Sequence, residues 1–215
     1  MKPGDFGSVT NRRRSIGLPI IAAVVALCAP NKDLSAAANR PAVSPNQDFS
    51  NPLLQIHAPA SDGWHGFARS ANLIAFGKSG SSADESFIAQ VNLFHLPTLP
   101  DSEAFTEFVR EAVIKDSPAD RFETLDVNVQ YSAARGYPCV TYHAVSDDKK
   151  AHVSFLSRKT LRFEVFALYC QHPLKPGLGF SAVFSHRGGS IDENLDKEAA
   201  GFMDSVQVTP PSQAP

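Results

Sequence analysis

No apolar run in this sequence is long enough to cross a bilayer comfortably. The longest, Ile16 to Ala29, is broken by Gly17 and Pro19 and falls short of the roughly 20 residues that a spanning helix takes. Positive charge is also scarce. The 215-residue chain carries a net charge of −2, yet five of its 20 basic residues (Lys2, Arg12, Arg13, Arg14, Lys32) stand in the first 38 positions beside two acids, Asp5 and Asp33. The remainder holds 15 basic against 20 acidic residues, a net of −5. A nucleic-acid binder needs a positive footprint to displace counterions, so nucleic acid is excluded as a partner. Anionic lipid would not attract this domain either. Neither G-x-G-x-x-G nor G-x-x-x-x-G-K-[ST] occurs, and there is no G-x-S-x-G, no C-x-x-C and no H-E-x-x-H. No cofactor is called for by any motif. What remains is an ordinary globular composition, 43% hydrophobic and 20% charged, in a chain long enough for one cored domain plus appendages.

The N-terminus has a function of its own. Arg12-Arg13-Arg14, then the short apolar run, then small residues is the secretory pattern. Ala36-Ala37-Ala38 offers small residues where a signal peptidase wants them. Alternatively, Val25-Ala26-Leu27-Cys28 resembles a lipoprotein box, although Leu27 stands where Gly, Ala or Ser is expected. Cys28 is therefore the lipidation candidate, and a lipid there is the only membrane contact the sequence offers. These features assign residues 1–38 to the secretory signal, 39–52 (proline-rich, polar, aperiodic) to a disordered linker, 53–208 to a single α+β domain and 209–215 to a disordered tail. The expected location is the periplasm or cell envelope.

Within the domain, two amphipathic helices stand out. Phe105, Phe108, Val109, Ala112 and Val113 form one helical stripe behind the N-cap candidate Asp101. Leu195, Ala199, Phe202, Met203 and Val206 form another, with Ser190 and Glu193 spaced as a capping box. Around and between them lies β structure. Phe87 to Leu93 and Leu125 to Tyr131 alternate with period two, and Cys139–Val145, Ala151–Ser157, Leu161–Cys170 and Gly179–Ser185 follow with short connections. Leu53–Ile56 and Leu73–Phe76 read as further short strands. The fold class is thus α+β: an antiparallel meander packed by two main amphipathic helices, sandwich-like. One core cluster is expected to contain Phe105, Phe108, Val109, Phe155, Phe163, Val165, Phe202 and Val206.

A tight turn at Asp147-Asp148 and a three-residue turn at Arg158-Lys159-Thr160 place Val140, Tyr142, Ala144, Phe155, Phe163, Val165, Ala167 and Tyr169 on one face, which burial favours. This register sets His143 directly opposite His152 on the polar face, with β-carbons about 4.5–5.5 Å apart. The pair is the weak metal candidate; zinc wants three or four ligands, and the ordinary reading is a solvent-facing pair. Cys139 and Cys170 are the only cysteines after the signal. An oxidising envelope argues that they form a disulfide. The register argues against it, since it separates them by roughly 26 Å along the strands and a bridge needs α-carbons within about 7 Å. Trp64-His65 reads either as a surface recognition spot or, more commonly for a lone Trp, as core.

The order of elements resembles the PsbP-like fold. The stretches that carry the resemblance are Gly63-Trp64, Gly136-Tyr137 through Tyr142, Ala151-His152-Val153, Leu161–Tyr169, and Leu195 with Phe202-Met203-Asp204-Ser205-Val206. The strand Gly179–Ser185 looks additional to the pattern. The resemblance implies a central antiparallel sheet with helices on both sides. It also implies a non-catalytic accessory or binding module, as in photosystem extrinsic proteins and bacterial envelope lipoproteins. It transfers no functional residue. The expected function is therefore an exported envelope binding module whose partner is an envelope protein or a small ligand. The competing expectation is a hydrolase or metal-dependent enzyme with a site no motif reveals.

Overall fold

The computed structural model describes residues 40–152 and 158–209. The segment expected to be a secretory signal, with Cys28, and Phe155 lie outside the described residues. Ten strands are described: β1 Asp48–Ser50, β2 Leu54–His57, β3 His65–Arg69, β4 Leu73–Ser79, β5 Ser86–His95, β6 Phe122–Ser132, β7 Cys139–His152, β8 Arg158–Gln171, β9 Leu178–Gly188 and β10 Gln207–Val208. Two helices accompany them, α1 Ser102–Asp116 and α2 Leu195–Asp204. The main sheet is antiparallel with order β3-β4-β5-β9-β8-β7-β6, and β1-β2-β10 form a small second sheet. This is the α+β architecture expected, except that β9 (the Gly179–Ser185 segment) is the central strand rather than an addition.

The helices take opposite faces because alternate residues of each strand do. Phe163, Val165, Ala167 and Tyr169 of β8 turn toward α1 and join Phe105, Val109, Val113, Val140, Tyr142 and Val183 in one core. Leu168 and Cys170 turn the other way and join Phe87, Phe180, Phe184, Leu195, Phe202 and Val206 under α2. The expected single cluster is thus two, with the sheet between them. Phe108 is only partly buried. Asp101 caps α1 as expected, its Oδ1 accepting from the Ala104 amide at 2.8 Å. The capping box at Ser190 and Glu193 does not form. The helix starts at Leu195, and its N-cap, Asn194, makes no side-chain cap bond.

The Asp147-Asp148 turn is also corrected. β7 runs through both aspartates as one 14-residue strand, with an irregularity only between Asp148 and Ala151. Each aspartate meets an arginine instead of turning its own backbone. Asp147 lies opposite Arg162 on β8 and pairs with it at 3.0 Å. Asp148, whose side chain is wholly buried, accepts from Arg121 Nε at 3.0 Å and Nη2 at 2.7 Å. As a result Cys139 lies directly opposite Cys170, Cα to Cα 4.1 Å, and the two are joined in a disulfide. The register that kept them apart is overturned.

The disordered-linker assignment of 39–52 fails as well over residues 40–52. A turn at Ser44–Gln47, with Asn46 in the left-handed region at φ 57°, folds this tract back, and the Phe49 ring packs on Phe76 at 4.9 Å. Its prolines and polar residues are turn chemistry. The Pro41 carbonyl accepts from Gly66, and Val43 donates to Trp64, so residues 41–43 run along the outer edge of β3. At the other end, Thr209 donates to Leu53, tying the residue after β10 to the residue before β2.

Candidate functional site

The residues singled out from sequence do not assemble into a site. His143 lies opposite Phe166, not His152; its ring stacks on Phe166 at 4.2 Å, and its Nε2 lies 3.0 Å from Glu164 Oε1. In the backbone register His152 lies opposite Arg158, at the far end of the same strand. The single 14-residue strand that replaced the turn is what separates the two histidines. A second histidine–carboxylate contact, His186 Nε2 to Glu85 Oε1 at 3.1 Å, sits on the α2 face two strands away, with the His186 ring against Phe87. Burial pushes Glu85 up, but the Ser81 hydroxyl and His186 outweigh it and leave its pKa below the usual value. Among the described residues, no group of three His, Cys, Asp or Glu side chains is arranged to hold a metal ion.

The structure brings together a different set. A cleft of about 680 Å³ opens between the Ala58–Ser61 loop and α2, lined by His57, Ser61, Asn194, Lys197, Glu198 and Phe202 among others. Behind two of its lining residues, Ser61 and Glu198, four side chains from a loop, a strand and a helix meet. Gly63, at φ +87°, turns the chain so that Trp64 comes back over the loop. The Trp64 indole Nε1 then donates to Ser61 Oγ at 3.0 Å. Lys78 Nζ, from β4, donates to the same oxygen at 3.0 Å, and Ser61 Oγ in turn donates to Glu198 Oε2 of α2 at 3.0 Å. The Lys78 ammonium also lies 5.7 Å from the Trp64 ring centre and 5.4 Å from that of Phe87, within cation–π reach. Trp64 is core, 1% exposed, edge-on to Phe184 at 5.5 Å.

On the far wall, Ser205 Oγ donates to the Phe202 carbonyl at 2.7 Å and accepts from the His57 amide at 3.2 Å. His57 Nδ1 lies 2.6 Å from Asp48. The cleft thus has a floor whose polar groups are bonded to one another, and rims that carry Lys197 and Asn194. A fully bonded serine fixes the shape of a cleft; it has both acceptor positions filled and its proton committed. No spacing in the sequence could have announced this set. Ser61 and Trp64 are three apart in a loop, while Lys78 and Glu198 come from a strand and a helix that meet only in the fold. Gly63-Trp64 was the one local signal. A second, smaller hollow of about 300 Å³ lies over β3 and β4 between Phe49, Phe67 and Phe76.

No family model matches the chain, and no curated protein matches it. Among solved structures, LpqN of Mycobacterium tuberculosis, described as involved in cell envelope biogenesis, is similar at 13% identity. The match covers 76% of this chain and 91% of that one, with a TM-score of 0.45. The Ran-binding protein Mog1p of Saccharomyces cerevisiae is similar at 12% identity, over 72% of this chain and 89% of that one, with a TM-score of 0.36. These are likenesses of outline, and no residue or role passes from them to this chain.

Proposed function

We propose that this chain is an exported envelope binding module, without catalysis of its own, that holds an envelope protein or a small ligand in the cleft between the Ala58–Ser61 loop and α2. The observation that carries this reading is the closed hydrogen-bond set at Ser61. The hydroxyl best placed to act as a nucleophile receives two donors and gives its own proton to Glu198, so the cleft is built to keep a shape. The compartment is supported by the basic and apolar leader and by a buried disulfide, the bond an oxidising envelope maintains. A lipid on Cys28 would supply the attachment to membrane.

The competing hydrolase reading rests on the same atoms, since Ser61 beside Lys78 and Glu198 is also how an activated serine is arranged. One experiment divides the two. Gly201 lines the cleft, and nothing lies within 4 Å of where its β-carbon would stand. Gly201→Leu should fill the cleft without unfolding α2 and abolish in-cell crosslinking of the exported chain to its partner. Treatment with a fluorophosphonate probe should leave Ser61 unlabelled. Labelling that Ser61→Ala removes would replace the binding module with the hydrolase.

A further inference from the structure

The two outer edges of the main sheet are treated differently. The β3 edge is five residues long, is interrupted by an irregularity between Gly66 and Ala68, and is followed along its length by Pro41 to Val43. Those are the usual devices that stop an edge from pairing with a stranger. The β6 edge is 11 residues long, and among the described residues no strand or loop pairs with its outer side. Its first half is guarded, with Glu123, Asp126 and an irregularity between Thr124 and Asp126. Its second half, Val127 to Ser132, has no charge, no proline, no glycine and no irregularity. Val127 is 53% exposed and Tyr131 42%, on the α1 face, where Val129 between them is partly buried against the core.

We propose that this half-edge is the docking strand for a second copy of the same chain, β6 against β6, antiparallel about a two-fold axis at Val129. The sequence is self-complementary in that register. Val127 faces Tyr131 of the other copy, Val129 faces Val129, and Asn128 faces Gln130, so apolar meets apolar on the α1 face and amide meets amide on the other. The acids fall well too. Asp126 stands opposite Ser132, and Glu123 falls past the end of the partner's strand at Ser132, so no like charges oppose one another. An isologous contact of this kind closes on itself and covers the unguarded half of β6, which turns an aggregation liability into a defined dimer. This inference stands apart from the cleft, which lies on the α2 face.

The test is sedimentation of the exported, processed chain from low to high micromolar concentration. The expected result is a twofold rise in mass with concentration. Val127→Lys together with Tyr131→Lys should raise the dissociation constant at least tenfold while the melting temperature stays near that of the parent. A second measurement does not depend on that variant folding. Val129→Cys should form a covalent dimer under mild oxidation, because a residue on the axis meets itself, whereas Asn128→Cys should not. A chain that stays monomeric throughout overturns the proposal. So does a dimer that survives both lysines, or one that crosslinks through Asn128→Cys and not through Val129→Cys.

Discussion

Consider the double substitution Cys139→Ala, Cys170→Ala. The bridge joins residues 31 apart, both buried, at the point where β7 and β8 lie directly opposite. In the chain-entropy account, closing a loop of that length removes about 12 cal/mol/K from the unfolded ensemble, which is about 3.7 kcal/mol at 25 °C. Truncating two buried sulfurs adds on the order of 1 kcal/mol of lost packing. The total, about 4–5 kcal/mol, is a large fraction of the 5–15 kcal/mol that holds a typical domain together. At roughly 2–4 °C per kcal/mol for a domain of this size, melting should fall by on the order of 10–15 °C. Urea unfolding followed by circular dichroism measures it, with the oxidised parent as reference. The variant should also show a steeper denaturant slope, because an uncrosslinked chain exposes more surface when it unfolds. Thiol counting on the denatured, unreduced parent should find neither Cys139 nor Cys170 free. A loss below about 1 kcal/mol with an unchanged slope would refute the reasoning, as would two free thiols.

Three further outcomes are expected. Phe163, 5% exposed with its ring 5.5 Å from that of Phe122, should cost about 3–5 kcal/mol when replaced by Ala, measured by the same unfolding assay. Gly201→Ala should raise stability by about 0.5–1 kcal/mol, because the glycine sits inside α2 with open space at its β-carbon and loses more backbone freedom on folding than alanine does. Asp116, at the end of α1, has its carboxyl pushed up to about 6 by burial, with Lys115 pulling weakly the other way. An acid whose folded pKa lies above its unfolded value favours the fold while protonated. That contribution is complete below about pH 4 and is lost as pH rises through about 6. Because the group is only half buried, solvent screening reduces the effect to on the order of 1 kcal/mol. Asp116→Asn should recover that amount at pH 7 and flatten the slope between pH 4 and 6.

The strand parity was legible while the strand neighbours were not. Val140, Tyr142, Ala144, Phe163, Val165, Ala167 and Tyr169 were expected on one face and occupy one face. Alternation of apolar residues fixes which way a side chain points, because burial penalises a slip of one residue along the whole strand. It says nothing about where a strand ends. Asp147-Asp148 has turn chemistry, and within a short window nothing distinguishes an aspartate that bonds its own backbone from one that meets an arginine across a sheet. Arg121 and Arg162, which hold the two carboxylates, lie 27 and 15 positions from their partners and carry no local signal. The misplaced turn then carried two errors with it, the His143–His152 pair and the separation of the cysteines. The proline-rich tract from Pro41 to Pro52 failed for a related reason. Composition that prevents regular structure also builds turns, and Phe49 was the residue that marked this tract for packing.

The candidate site was hidden by the same physics at longer range. Ser61, Trp64, Lys78 and Glu198 belong to a loop, a strand and a helix spread over 138 residues, and each is ordinary where it stands. What makes them a unit is that the hydroxyl sits where three partners converge, a consequence of α2 lying across β9 with its Phe202 against Phe76 of β4, the strand that also carries Lys78. The glycine before Trp64 was the single feature that local reasoning could seize, because only a left-handed turn there returns the indole to the loop three residues upstream. This dependence gives the cleft a sharp sensitivity. Removing the Ser61 hydroxyl takes their common partner from an indole N–H, an ammonium and a carboxylate; of these the indole N–H belongs to a buried residue, and an unpaired buried donor costs about 1–3 kcal/mol. Ser61→Ala should therefore weaken the fold more than the loss of one hydroxyl suggests. Ser61→Thr, which keeps the oxygen, should restore most of the loss. If instead Ser61→Ala were neutral in the urea assay, the four side chains would be neighbours without a shared bond, and the cleft would have no built floor.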